Sequence, residues 1–269
     1  MRYPANAVQA AKACPAEVLH FACGPRDACH PIPLPQPTDK RSLMSASEAA
    51  TSPTIAAVAF DLDGLLVNTE ELYQDVGTEL LRRRGRSFDA DLLDAMMGRP
   101  QPIALSIMIE WHGLPDTVEI LAAETKEIFV SLLEDRLSLM PGASALVDHL
   151  ERHRLPAGVA TSSGPDFAHD VLGRVGLLDR LDFVLTAADV TEGKPHPEIY
   201  ETAASRHGVP ASRLLVFEDS ANGCRAAVAA GAVVVAVPGG HSRRHDFTGA
   251  HLVADSLADT RIYDLLPRG

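Results

Sequence analysis

The chain has 269 residues, 46% of them hydrophobic and 22% charged, with a formal net charge of -12. That length holds one large domain or two small ones with ample core material, and it excludes a small scaffold that depends on disulfides. The negative balance is spread along the chain rather than gathered in blocks, which argues against nucleic acid as the main partner, and no run approaches the roughly 18 to 20 apolar residues of a membrane span.

No charged-then-apolar signal opens the sequence, so a cytoplasmic protein is expected, monomeric or weakly oligomeric. Residues 1–53 mix Pro, Ala, Ser and Cys without a 2.0 or 3.6 period, and Pro31-Ile32-Pro33-Leu34-Pro35-Gln36-Pro37 can form neither a helix nor a central strand. A disordered extension is expected there, and Met44 is an alternative start. Cys14, His20, Cys23, Cys29 and His30 have ligand chemistry for zinc but lack the C-x₂₋₄-C spacing, so no metal site is expected. With Cys224 the only cysteine in the region expected to fold, no disulfide framework is expected either.

From Ile55 the pattern changes. The apolar run Ile55-Ala56-Ala57-Val58-Ala59-Phe60 reads as a strand buried on both faces, and it ends in Asp61-Leu62-Asp63-Gly64. Strand alternation puts Asp61 and Asp63 on the same side of the backbone, where their charges call for a cation or a shared proton. An acidic turn with Gly64 at positive φ is the plainer reading of the same residues. A loop through Asn68 then leads to a helix with Thr69 as its expected N-cap. Helices are expected over 70–84, 89–97, 102–111 and 117–133, a block too long for a simple crossover and therefore read as an inserted domain.

Strands and helices alternate beyond it. Helices are expected over 142–153, 165–175, 197–207 and 220–230, and strands over 157–161, 183–186, 214–217 and 233–237. Such alternation, with Gly at helix ends, predicts an α/β fold with a doubly wound parallel sheet. The boundaries expected are residues 54–69 and 137–269 for the core and 70–136 for the helical insertion.

Three later stretches place polar groups at strand ends. Thr161-Ser162-Ser163-Gly164 precedes Pro165 at a helix start, a phosphate cradle or simply a capping turn. Gly193-Lys194-Pro195-His196-Pro197 holds a lysine between a glycine and prolines, either a fixed ammonium or a solvated one. Phe217-Glu218-Asp219-Ser220 brings two acids to a buried strand terminus, for a metal or to cap the next helix.

Taken together, Phe-Asp-Leu-Asp-Gly, Thr-Ser-Ser, Gly-Lys-Pro-His-Pro and Phe-Glu-Asp-Ser-Ala-Asn-Gly-Cys-Arg-Ala-Ala resemble the haloacid dehalogenase superfamily, in particular its phosphatases and phosphomutases with a helical cap inserted after the first motif. The resemblance covers about residues 55–269. It implies Asp61 as a nucleophile forming an aspartyl phosphate and Asp63 as general acid and base. It implies Mg²⁺ held by Asp61, the Asp63 carbonyl and Asp219, with Glu218 a ligand through water or a partner behind them. Thr161 and Ser162 would bind the phosphoryl oxygens, and Lys194 would offset charge and orient Asp61. One departure is Asn68, where many relatives carry Asp, in a position that bears on the cap hinge. Substrate choice falls to the cap, where Arg99 in Met97-Gly98-Arg99-Pro100-Gln101 is a candidate contact or an ordinary surface arginine. The expected function is a Mg²⁺-dependent phosphatase of a small phosphorylated metabolite, such as a sugar phosphate. A β-phosphoglucomutase-like mutase and a non-catalytic binding module are the alternatives.

Overall fold

The computed structural model describes residues 54–96, 99, 101–240 and 242–267. The expected extension over 1–53, with its cysteines, histidines and Met44, lies outside the described residues. In chain order the structure runs β1 (Ala57–Phe60), α1 (Thr69–Arg83), α2 (Ala90–Met96), α3 (Gln101–His112), α4 (Val118–Arg136), α5 (Ala143–Arg152), β2 (Ala157–Ala160) and α6 (Pro165–Arg174). It continues through β3 (Val184–Leu185), α7 (Glu198–Arg206), β4 (Leu214–Glu218), α8 (Ala221–Ala229), β5 (Val233–Ala236), β6 (Leu252–Val253) and α9 (Thr260–Tyr263).

All strand pairs are parallel, in the order β3-β2-β1-β4-β5-β6. The chain builds outward on one side of β1 and then returns to lay β4 on its other side. The order therefore reverses between β1 and β4, the place where an open α/β sheet leaves a crevice at its carboxyl ends. Alternation along β1 and β4 divides the core into two layers. Val58, Phe60, Leu215 and Phe217 face one way and Ala57, Ala59, Leu214 and Val216 the other. Phe60 and Phe217 stack at 5.2 Å between centroids and weld the two central strands on the first face. The small residues of the second face let α7 come close to β1 and β2.

Between β1 and α5 stand α1 to α4, with α1 packed on α4 and α3 against both α2 and α4. Arg84 at the end of α1 forks onto Asp116 and Glu124 at 2.8 Å each and staples that pair together. The expected helices and strands are present with ends that coincide or shift by at most three residues, while β6 and α9 were not expected from the sequence. One local expectation needs correction. Asn68, not Thr69, holds the N-cap position of α1, and neither side chain caps it, because the Thr69 hydroxyl is drawn away to Asp63. Among the described residues no helix is long and apolar enough to cross a membrane.

Candidate active site

Asp61 is the first residue beyond β1, and its N–H donates to the Phe217 carbonyl at 3.0 Å, which fixes it beside the end of β4. Lys194 reaches it from the loop ahead of α7. The Lys194 side chain is 5% exposed, and its Nζ donates to Asp61 Oδ1 at 2.6 Å, Glu218 Oε1 at 2.7 Å and the Ala160 carbonyl at 2.9 Å. Three N–H donors thus meet three acceptors, one from the end of each of β1, β2 and β4. Burial by itself would draw the ammonium pKa down, but the charges of Asp61 and Glu218 lift it well above its ordinary value, so Lys194 is a fixed cation.

Glu218 is fully buried, and both its oxygens are taken by protein donors. Oε1 accepts from Lys194 and from the Tyr200 hydroxyl at 2.8 Å, and Oε2 accepts from the Ser220 N–H at 3.0 Å and its hydroxyl at 2.9 Å. Ser220 in turn caps α8 by accepting from the Gly223 N–H. A Cβ on Gly223 would land inside the Glu218 carboxylate, so glycine is the residue that lets α8 start there.

The Asp63 carboxylate is held by three hydroxyls, from Thr69 at 2.7 Å, Ser163 at 2.7 Å and Thr161 at 3.3 Å. Gly64 takes φ +77°, and a Cβ there would stand 2.6 Å from Asp219 Oδ2 and 3.0 Å from the Glu70 carboxyl carbon. Both the backbone angle and the space require glycine. Asp219 is 2% exposed, and its Oδ2 finds no protein hydrogen-bond partner. Burial, followed by the charges of Glu218 and Asp61, raises its carboxyl pKa well above the ordinary value. Burial likewise pushes Asp61 up against the pull of Lys194, and Glu70 up with help from Asp63.

Carboxylates therefore outnumber the ammonium at this end of the molecule, and a buried oxygen without a donor is an invitation to a cation. All the donors are oxygens, the ligand type of Mg²⁺. No group of three or more His, Cys, Asp or Glu among the described residues is arranged as a cage. The buried Asp219 oxygen among oxygen-only ligands fits an ion which keeps several waters and takes one or two carboxylates.

Asp61, Asp63, Thr161, Ser162, Lys194 and Asp219 line one cavity of about 870 Å³, and Glu218 lies behind them. Arg99 is exposed, donates to the Ala95 carbonyl at 2.9 Å and is not among the residues lining that cavity. Sequence reasoning passed over Ser163 and Glu70, which touch or face the acids, and Tyr200, which supports Glu218. It also passed over Arg225 and Arg244, which line the same cavity. Ser163 was legible as the second serine of Thr-Ser-Ser, whereas Tyr200 sits on the apolar stripe of α7 and reads as core.

Residues 55–231 match the model of a family described as haloacid dehalogenase-like hydrolase. Validoxylamine A 7'-phosphate phosphatase of Streptomyces hygroscopicus subsp. limoneus is 36% identical over 68% of this chain and 85% of its own length. The (DL)-glycerol-3-phosphatase 2 of Arabidopsis thaliana is 36% identical over 72% of this chain and 83% of its own. The crystal structure of CbbY from Rhodobacter sphaeroides in complex with phosphate aligns with a TM-score of 0.63 at 27% identity, over 77% of this chain and 96% of that one. With two thirds of its length matched by the family model and the fold shared, this chain belongs to the haloacid dehalogenase-like hydrolases.

Proposed function

We propose that the protein is a Mg²⁺-dependent phosphatase of small phosphorylated metabolites that works through an aspartyl phosphate on Asp61. The observation that carries the reading is the contact of Asp61 with the buried Lys194 at 2.6 Å, beside Asp63 in the same cavity. Lys194 favours the ionised form of Asp61 against the burial that opposes it, and by binding Oδ1 leaves the other oxygen for attack. In the first half-reaction a bond forms from Asp61 to phosphorus as the bond to the leaving oxygen breaks, and Asp63 gives that oxygen its proton. In the second, Asp63 takes a proton from water as the water oxygen attacks phosphorus and the bond to Asp61 breaks, which frees phosphate. Asp61, the Asp63 carbonyl and Asp219 would hold Mg²⁺, which when bound offsets the charge of the phosphoryl oxygens. Thr161 and Ser162 line the cavity where those oxygens would sit, and Glu218 serves Lys194 rather than the ligand because its acceptors are filled.

The helices α1 to α4 act as the cap in this reading, with the boundaries expected from the sequence. Arg225 and Arg244 also line the cavity, whose volume of about 870 Å³ leaves room for a leaving group such as a sugar or a second anion. The test is a panel of phosphorylated metabolites assayed with Mg²⁺, glucose 1-phosphate among them. Release of inorganic phosphate is expected, glucose 6-phosphate would mark a mutase instead, and no turnover across the panel would refute both.

A further inference from the structure

The chain leaves the sheet for the helical block at Leu66–Thr69 and returns at Arg136–Met140, and the two crossings lie side by side. Val67 and Leu139 form an antiparallel bridge. The Met140 N–H donates to the Leu66 carbonyl at 2.9 Å and the Asn68 N–H to the Ser138 carbonyl at 3.2 Å. The Asn68 side chain adds a second tie. Its Nδ2 donates to the Arg136 carbonyl at 3.1 Å, and its Oδ1 accepts from the Ser138 N–H at 2.9 Å. Both halves of the amide are used across the gap, and none of it is spent on capping the helix it precedes.

What this tie holds is the partner of Asp63. Thr69 follows at once and gives its hydroxyl to Asp63 Oδ1 at 2.7 Å. Asp63 and Val67 bridge, and the Gly64 N–H donates to the Val67 carbonyl at 2.9 Å, so the segment from Asp63 to Thr69 is knit into one unit. Its own hydrogen bonds fix its shape, and Asn68 fixes its place against the returning crossing. Asparagine is chemically specific for that task. An aspartate could still accept from Ser138 but has no hydrogen for the Arg136 carbonyl, and would set two acceptors against each other.

We infer that Asn68 is a positioning residue for proton delivery by Asp63: its amide locks the two crossings together and, through Thr69, keeps the Asp63 carboxyl aimed at the leaving oxygen. The inference rests on the roles proposed above for Asp61 and Asp63.

The test compares kcat/KM, which covers the steps up to loss of the leaving group, for Asn68→Asp, Asn68→Ala and Ser138→Pro. One substrate is 4-nitrophenyl phosphate, whose leaving phenolate needs little help from a proton, and the other is the alkyl phosphate that the wild type hydrolyses fastest. Ser138→Pro replaces the N–H that Asn68 accepts from with a ring carbon, and Leu137 at φ -61°, ψ 128° already has the backbone that a residue before proline adopts. On the alkyl phosphate Ser138→Pro should lose about three- to tenfold, the effect of one lost hydrogen bond, and the two Asn68 variants at least as much. On the aryl phosphate each should stay within about twofold, and Asn68→Ala combined with Ser138→Pro should lose no more than Asn68→Ala alone. Equal losses on both substrates, no loss at all, or losses that multiply in the double variant would overturn the inference. Failure of the wild type to hydrolyse any phosphate would overturn the phosphatase reading instead.

Discussion

Replacing Glu218 by glutamine takes away a charge and one acceptor where four donors converge. Glutamine must keep its oxygen toward Lys194 and Tyr200, because the reverse orientation turns its NH₂ onto the ammonium. The NH₂ then faces Ser220, whose hydroxyl can rotate to accept, but whose main-chain N–H cannot. Relaxation is blocked on that side, since Gly223 already packs against the carboxylate. One buried N–H without a partner costs about 1–3 kcal/mol, and exchanging a charge-assisted bond to Lys194 for a neutral one costs about 1 kcal/mol more. Relief of repulsion among Glu218, Asp219 and Asp61 returns part of this, so a net loss of about 1–3 kcal/mol is expected. Urea unfolding followed by circular dichroism should show a lower midpoint with an unchanged slope. A variant as stable as the wild type would refute the reasoning, because it would mean that burying this charge costs as much as its four hydrogen bonds return.

Asp63→Asn should lower kcat on an alkyl phosphate by roughly 10² to 10⁴, the range for a lost general acid or base. Adding Mg²⁺ should raise the thermal midpoint of the wild type by mass action and leave Asp219→Asn unmoved, which a differential scanning measurement reads without any turnover. Arg84 holds the Asp116 and Glu124 carboxyls below their ordinary range through its hydrogen bonds to them. Depressed carboxyls stabilise the fold fully above their unfolded values of about 4 and lose that contribution as the pH falls through the depressed ones. The urea midpoint of Arg84→Met should therefore lie below the wild type at pH 6 and draw toward it as the pH falls below the ordinary carboxylate range.

The architecture was legible because the buried strands are short apolar runs, and β1, β2 and β4 end beside polar groups that an apolar run does not need. Asp61, Thr161 and Asp219 were found that way. Their convergence was legible only through the family resemblance, since periodicity says nothing about β4 lying beside β1, and that neighbour relation brings Glu218 to Lys194. Thr69 was misjudged because capping is a local rule and a carboxylate six residues back in sequence outbid it. Tyr200 was invisible because nothing in an apolar helix face says that its hydroxyl will meet a buried acid. Strand β6 has only two residues and carries no alternation to detect. Arg99 drew notice for its charge and loop position, yet its guanidinium folds back onto the Ala95 carbonyl.

All of the proposed chemistry depends on Asp61 attacking phosphorus. The direct measurement is Asp61→Asn assayed with 4-nitrophenyl phosphate and Mg²⁺, alongside mass spectrometry of acid-quenched protein. Hydrolysis should be abolished in the variant, and the wild type should carry a phosphoryl group on the peptide containing Asp61 that the variant lacks. Turnover by Asp61→Asn at the wild-type rate would contradict the account.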